Sequence, residues 1–542
     1  MRIHPISESA LSSNWDVIII GAGINGTGIA RDAAMRGLKV LVLEKEDISC
    51  ATSAWNTRLI HGGLRYLEYF EFYLVRESLA ERERLLKNAP HLVKPLPLTI
   101  PFYKQNQRGP LIFWMGMVFY DILSFDKSLD HHHIYSKDQV MSKVGELNPQ
   151  GLSGAAMYYD CQVDYPERLS VENVLSAQQH GAVLINYAKV NRFLLEGNVV
   201  KGVEFTDTLS GKTYTVHGSL VINVGGPWVD EVLKGLGKPV KQMIGGTKGS
   251  HIVVNSFPGA PKMGIYFEAR ADKRPMFIIP WTGRLLIGTT DFHYKGDLDH
   301  VVMDDDEMEY LINETNIILP QAKITPEKVL YSYSGVRPLP YTGDKKAGAV
   351  TRRHIIHDHA PEVEGLISII GGKLTTFRNL AQQCVDLAEK KLRRKATECQ
   401  TIKTPLPGAG AGDFSTYRES FIKQSGLDEE VASRLVKIYG ARAEEILQLA
   451  QRDTRLMQRL SPQDPTLAAE VVFALQSEMA ETIRDVLLRR TMSGYNNRVG
   501  LDVVENAVKV AGDTFGWPKE RMEEELEMYR IAVGRFRPSR GS

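Results

Sequence analysis

The chain has 542 residues, more than one ordinary core accommodates, so two or three domains sharing interfaces are expected. Hydrophobic residues make up 43% and charged residues 24%, and 66 basic side chains nearly cancel 65 acidic ones, which excludes a bulk attraction to nucleic acid. The four cysteines, Cys50, Cys161, Cys384 and Cys399, are far apart and form no C-x-x-C pair, which argues against a disulfide framework and an iron-sulfur cluster and for a reducing compartment.

The N-terminus is polar up to the first strand and has no secretory h-region, so a cytoplasmic body is expected. Asp16 to Ile20 is a β-branched run, Asn25 to Arg36 reads as a helix and Lys39 to Leu43 as a second strand, which makes one βαβ unit. Inside it, Gly21-Ala22-Gly23-Ile24-Asn25-Gly26 fits G-x-G-x-x-G directly after a strand and at the opening of a helix. The first glycine permits the tight turn, the second lets backbone approach a pyrophosphate and the third allows close helix packing, with the phosphates at the helix N-terminus. Glu44 ends the second strand, where a carboxylate accepts both ribose hydroxyls. A dinucleotide follows, with NAD and FAD both open at this point.

Glu71 to Asn88 reads as an exposed amphipathic helix that stops before Pro90. Leu111 to Tyr120 is an apolar run with aromatics, preceded by Lys104 and Arg108, and is much shorter than the ~20 residues that span a bilayer. It reads either as a buried core helix or as a segment dipping into one leaflet. His131 to His133 reads as a solvated loop, because no carboxylate or cysteine falls at ligand spacing, and no metal site is expected. Short strands alternate with turns from Asn191 to Val224, and a second β-rich block runs from Gly249 to Asp291. A Pro/Gly-rich linker follows Thr404; beyond it helix formers dominate, and Ala468 to Thr491 reads as one helix of period 3.6. A separate helical domain is expected over 404–542.

Cys50-Ala51-Thr52-Ser53, running into Arg58-Leu59-Ile60-His61-Gly62-Gly63-Leu64-Arg65-Tyr66-Leu67-Glu68, is very similar to the flavin-contacting segment of the FAD-dependent glycerol-3-phosphate dehydrogenases. Further matches follow in that family's order: Gly226-Pro227-Trp228, Lys248-Gly249-Ser250-His251, Ile287-Gly288-Thr289-Thr290-Asp291, Ser334-Gly335-Val336-Arg337-Pro338-Leu339 and Gly371-Gly372-Lys373-Leu374-Thr375-Thr376. The resemblance covers essentially the whole chain. It implies an α/β fold: a Rossmann-like FAD-binding domain, a β-sheet substrate domain of the glycine/D-amino-acid oxidase type and a C-terminal all-α domain. The first two interleave over 14–403, with FAD segments near 14–70, 180–230 and 350–395 and substrate segments near 71–179 and 231–349. One departure stands out: many relatives carry serine-rich text before Leu-Ile-His, and this chain reads Ala54-Trp55-Asn56-Thr57.

The resemblance further implies that FAD is held by Gly21, Gly23, Ile24, Asn25, Gly26, Glu44, Lys45, Thr52, Ser53, Thr57, Leu59, His61, Gly62, Gly63, Gly225, Trp228, Gly372, Leu374 and Thr375. Gly371-Gly372 precedes a helix predicted over Thr376 to Lys390, whose positive end suits the flavin's pyrimidine ring, where negative charge accumulates on reduction. Arg337 and Arg352 are expected on the phosphate of sn-glycerol 3-phosphate, with Arg65, Tyr66 and Lys373 nearer the other substrate oxygens and the individual roles open to exchange. Oxidation of a secondary alcohol sends C2–H as hydride to flavin N5 and the hydroxyl proton to a base. The expected catalytic set is His61, His251, Arg337 and Lys373, with His61 the first candidate for the base and His251 the second. A membrane quinone is the expected acceptor, reached from the cytoplasmic face of the membrane through the 111–120 run, and a homodimer is compatible with the sequence. The rivals are an oxidase passing electrons to oxygen, an amine or amino-acid oxidase on the same scaffold, and a non-catalytic flavin-binding protein.

Overall fold

The computed structural model of the chain describes residues 2–104, 106, 109–343 and 352–536, and only the backbone of Arg65, Glu68, Tyr69 and Pro110. In chain order the body contains β1 (Asn14–Ile20), α1 (Ile24–Met35), β2 (Val40–Leu43), α2 (Phe72–Asn88), β3 (Val93–Tyr103), α3 (Pro110–Leu123), β4 (Leu152–Val163) and α4 (Pro166–Gln179). It continues through β5 (Thr213–Asn223), β6 (Thr247–Asn255), β7 (Gly264–Glu268), β8 (Pro275–Trp281), β9 (Arg284–Gly288), β10 (Val329–Arg337), β11 (Leu366–Ile370) and α5 (Phe377–Lys391). The tail holds α6 (Phe414–Gln424), α7 (Glu429–Tyr439), α8 (Ala443–Arg452), α9 (Ala468–Ser477), α10 (Val504–Phe515) and α11 (Lys519–Gly534).

β1 is apolar on successive residues because both of its faces are covered. It pairs in parallel with β2, Val17 opposite Val40, and with β5, Val17 opposite Leu220, while β11 extends the sheet beyond β5. Helices α1, α4 and α5 cover one face through Ile29, Ala33, Val174 and Leu380. On the other face Ile18, Leu41 and Val221 pack on Phe193, Val203 and Phe205 from an antiparallel ribbon. This is the Rossmann-like layer, and it points the Gly21–Gly26 turn at the second sheet.

In the second sheet β6 is buried along its whole length except Asn255, because it is paired on both edges. His251 stands opposite Gly288 of β9 on one side and Tyr333 of β10 on the other. β8, β7, β3 and β4 continue the sheet in that order. The tail helices share a core with it: Val253, Ile279 and Tyr331 of the sheet pack with Leu435, Val472, Tyr529 and Phe536.

Two expectations need correction. The single helix over Ala468–Thr491 is broken: α9 ends at Ser477, Met479 adopts a left-handed φ of 56°, and a short turn at Ile483–Asp485 leads into a wide one at Val486–Arg490. The cause is Glu478, which is buried and accepts from Arg168 Nη1 and Nη2 at 2.6 and 2.8 Å and from Arg442 Nη1 at 2.5 Å. A pull from two guanidiniums, one of them 310 residues away, leaves no trace in a local period. Helix α2, expected to be exposed, is buried along one side, charged residues included, because Glu81 takes the Arg378 fork and Arg82 meets Asp160. Among the described residues no helix is long and apolar enough to cross a membrane.

Candidate active site

The Gly-rich turn is closed by contact. A Cβ on Gly26 would stand 2.0 Å from the Gly21 carbonyl oxygen, so only glycine lets α1 start this close to β1. Ser53 Oγ accepts the Ile24 N–H at 2.9 Å, which fastens the 50–57 loop to the helix entry. Glu44 accepts the N–H groups of Ala22 at 2.7 Å and Glu46 at 2.9 Å; burial raises its pKa and these two donors oppose the rise. Asn25 Nδ2 donates to the Gly371 carbonyl at 3.2 Å and so ties the turn to the Gly371-Gly372 loop in front of α5.

A cavity of about 910 Å³ runs from this turn across the face of the second sheet. Of the residues expected in the site, Gly23, Ile24, Asn25, Gly26, Thr52, Ser53, Thr57, Leu59, His61, Gly63, Tyr66, Arg337, Arg352, Gly372, Lys373, Leu374 and Thr375 line it. Gly21, Glu44, Gly62, Gly225 and His251 lie outside that lining, and Lys45 and Trp228 border an adjoining crevice, with Lys45 Nζ 3.8 Å from the Trp228 ring centre. The Arg65 side chain and Arg108 fall outside the described residues.

At the far end of the cavity Arg337 donates to Asp291 Oδ1 at 3.0 Å and to Thr289 Oγ1 at 3.0 Å, and Arg352 meets Asp291 Oδ2 at 3.4 Å. Gly249 opposes Gly335 across β6 and β10, and a Cβ on Gly249 would stand 2.2 Å from Arg337 Nη2, so the guanidinium lies flat over bare backbone. Lys373 donates to Ser78 Oγ at 2.7 Å and sits 4.6 Å from the Tyr66 ring centre; burial brings its pKa down to about 8.

The two histidines have different surroundings. His61 lines the cavity, its backbone N–H donates to Thr375 Oγ1 at 3.1 Å, and burial, opposed by Asp160 and aided by Lys373 and Arg82, lowers its imidazole to about 4. It is therefore neutral at pH 7 and able to take a proton. His251 is stacked on Tyr333 at 5.0 Å, covered by Gly288 and bonded through Nε2 to Thr57 Oγ1 at 3.0 Å, which puts it one residue behind the wall.

Three features were not foreseen from the sequence. Asp160 is buried in the wall and its Oδ1 accepts from Arg82 Nη1 at 2.6 Å, Tyr120 Oη at 2.8 Å and the Gly62 N–H at 3.1 Å, anchoring the residue after His61. Asp291 was visible within a motif, but not as the carboxylate that positions both arginines. The cavity also opens through Phe70 and Phe72, which join Ile112, Met115 and Phe119 of the expected 111–120 run. Phe70 is 78% exposed and Ile112 52%, and the aromatic text Tyr69-Phe70-Glu71-Phe72-Tyr73 was the available signal.

Trp55, the departure noted above, is accommodated at the back of the 50–57 loop. Its ring stacks on Phe536 at 5.2 Å, Arg535 covers it at 4.4 Å, and its Nε1 donates to the Cys50 carbonyl at 2.9 Å. Thr57 and Ser53 remain on the cavity side.

The turn end of the site carries buried polar atoms without partners among the described residues, Asn25 Oδ1 and Trp228 Nε1, as expected where a ligand's own polar groups complete the network. A parallel β1–β2–β5 core with a glycine cradle, facing a second sheet across a cavity of dinucleotide size, defines a dinucleotide-binding enzyme class. The family of FAD dependent oxidoreductases matches residues 16–378, and the C-terminal domain of alpha-glycerophosphate oxidase matches residues 399–522. The chain is 49% identical over 528 residues, 95% of both chains, to a glycerol-3-phosphate dehydrogenase of Synechocystis sp.. It is 31% identical over 541 residues, 97% of this chain and 96% of the other, to an aerobic glycerol-3-phosphate dehydrogenase of Staphylococcus aureus. The solved structure of a glycerol-3-phosphate dehydrogenase from Bacillus halodurans complexed with FAD matches with a TM-score of 0.82 at 26% identity, covering 98% of this chain and 97% of that one. The chain belongs to the family of FAD-dependent glycerol-3-phosphate dehydrogenases, and its cofactor is FAD.

Proposed function

We propose that the protein oxidises sn-glycerol 3-phosphate to dihydroxyacetone phosphate and delivers the electrons to a membrane quinone from the cytoplasmic face. The observation that supports this best is one continuous cavity that joins the glycine cradle, the Asp291 arginine cluster and an apolar, solvent-exposed mouth. Bound FAD supplies the acceptor for the hydride that leaves C2.

The chain's own residues do the rest. Arg337 and Arg352, pre-aimed by Asp291, hold the phosphate by charge-assisted bonds. Tyr66 and Lys373 line the wall beside His61, where the glycerol oxygens would lie, and the neutral His61 imidazole takes the C2 hydroxyl proton. Asp160 fixes the backbone on which His61 rides. Phe70, Phe72, Leu111, Ile112, Trp114 and Met115 present an apolar rim whose natural neighbour is a lipid leaflet, so an isoprenoid quinone can approach without crossing water.

Anaerobic mixing with sn-glycerol 3-phosphate should bleach the flavin absorbance. A short-chain quinone added next should restore it faster than oxygen does. A flavin that no phosphorylated alcohol reduces removes the enzymatic reading, and faster recovery with oxygen makes the protein an oxidase.

A further inference from the structure

The segment from Glu44 to Arg58 has two faces. Thr52, Ser53 and Thr57 line the cavity, whereas Asp47, Trp55 and Arg58 face away from it, and each of these three meets a residue of the C-terminal helical domain. Asp47 is fully buried. Arg490 donates to both of its carboxylate oxygens, Nη1 to Oδ2 at 2.9 Å and Nη2 to Oδ1 at 2.8 Å, and Arg489 Nε donates to Oδ2 as well. Both guanidiniums come from the wide turn at Val486–Arg490, which Arg490 Nε fixes to the Glu478 carbonyl at 2.8 Å and Arg489 to Asp485. Eight residues on, Trp55 carries the Phe536 stack and the Arg535 guanidinium. Arg58 forks onto Glu167 at 3.1 and 3.0 Å, and Tyr495 Oη donates to the same carboxylate at 2.8 Å.

The shape of this segment is enforced from outside. Ser49 and Arg58 both lie in the left-handed region, at φ 60° and 58°, which residues with a Cβ adopt only where their surroundings over-determine it. A buried carboxylate shared by two guanidiniums is satisfied in one position, and moving it leaves charge uncompensated. The hold is passed to the cofactor side by short links. Two residues beyond Asp47, the Ser49 N–H donates to the Ala22 carbonyl at 3.1 Å inside the Gly21–Gly26 turn. Ser53 Oγ accepts the Ile24 N–H, and Thr52 Oγ1 donates to the Val336 carbonyl at 2.7 Å. A displacement of Asp47 or Trp55 therefore displaces the glycine cradle and the loop beside it.

We infer that the C-terminal helical domain retains the cofactor: Arg489 and Arg490, through Asp47, and Phe536, through Trp55, are positioning residues that hold the 44–58 segment in the arrangement that binds FAD. Without them the segment samples arrangements that do not fit the dinucleotide, and the apparent affinity falls in proportion to the fraction of molecules that still fit.

Asp47→Asn breaks the clamp at its shared acceptor, and Arg490→Lys keeps a point charge without the fork. Glu470→Gln is the control, because it unpairs the buried Arg434 inside the helical domain, where the partners of that arginine are Glu470 and the Thr491 carbonyl. Each holoenzyme is diluted and FAD release is followed by the rise in flavin fluorescence, with thermal unfolding and the visible circular dichroism of the bound flavin measured beside it. Asp47→Asn should raise the FAD Kd about tenfold to a hundredfold, as a binding-competent fraction of roughly 1–10% gives, and alter the flavin dichroism, with Arg490→Lys closer to the parent. Glu470→Gln should lower the unfolding temperature while Kd and dichroism stay parent-like; a merely structural role of the clamp would move the two variants alike. Phe536→Leu keeps apolar volume, removes the stack on Trp55 and should raise Kd about twofold to tenfold. Parent-like FAD release in Asp47→Asn overturns the inference, as does a Kd that Glu470→Gln moves as far. Where Asp47→Asn does not fold, parent-like release in Phe536→Leu overturns it instead.

Discussion

Replacing Asp160 by Asn tests whether the wall behind His61 is held by charge. Asp160 and Arg82 are each 1% exposed, and Asp160 Oδ1 is the shared acceptor of Arg82, Tyr120 and the Gly62 N–H. Asparagine keeps a carbonyl oxygen as the shared acceptor but leaves the Arg82 guanidinium buried without a counter-charge, between that neutral oxygen and the Tyr159 carbonyl at 2.9 Å. Breaking one side of a buried pair in this way costs about 3–5 kcal/mol, whereas removing both charges with similar volume costs far less. Urea unfolding of the holoenzyme should therefore show Asp160→Asn destabilised by roughly that amount, with Arg82→Met/Asp160→Asn recovering most of it. Flavin reduction should fall as well, by up to about a hundredfold, because a shift of the His61–Gly62 backbone misplaces the base. A single mutant that costs under about 1 kcal/mol, or a double mutant no more stable than the single, would refute the charge argument.

Arg337→Ala removes a fork pre-aimed by Asp291 and Thr289, and should raise the KM for sn-glycerol 3-phosphate by about tenfold to a hundredfold without changing FAD content; Arg352→Ala should do the same. Titrating flavin per protein beside steady-state kinetics checks both, and flavin loss that parallels the KM change would move these arginines to the cofactor. For His61, burial sets the imidazole at about 4, so the neutral base predominates above that pH and is lost below it. The anaerobic reduction rate at saturating substrate should stay level from pH 8 to well below pH 6.5 and fall only towards about 4. His61→Asn should slow it by roughly a hundredfold to ten-thousandfold and abolish the acid limb. If His251→Asn abolishes that limb instead, the base is His251.

Where an element is dictated by neighbours in sequence, the sequence displayed it. The β1–α1–β2 unit, read as Asp16–Ile20, Asn25–Arg36 and Lys39–Leu43, is found within a few residues of those bounds, because turn glycines and strand apolarity are local requirements. The Ala468–Thr491 helix failed for the opposite reason. Glu478 looks like an ordinary helix former, and only the fold brings Arg168 and Arg442 to it. The roles of Asp160 and Asp291 escaped notice on the same ground: an aspartate on or beside a strand does not show which arginines it serves until the fold places them. Trp55 shows the converse case, since its bulk reads as a misfit beside a flavin loop until Phe536 is seen to stack on it.

The 111–120 run reads either as a core helix or as an interfacial one, and α3 is buried on one side and exposes apolar side chains on another. Phe113, Met117 and Tyr120, at i, i+4 and i+7, are buried against the second sheet and Asp160. Leu111, Ile112, Trp114, Met115 and Ile122 are between 47% and 66% exposed. A helix at an aqueous surface normally turns charge outward, so the exposed apolar side supports the leaflet contact proposed above. Periodicity alone could not reveal this, because a uniformly apolar run has no preferred face to report. What separates the sides is Tyr120, whose hydroxyl reaches the carboxylate that also holds Gly62. The exposed apolar face and the loop that carries the candidate base are thus two sides of one helix contact, the link that the proposed electron exit requires.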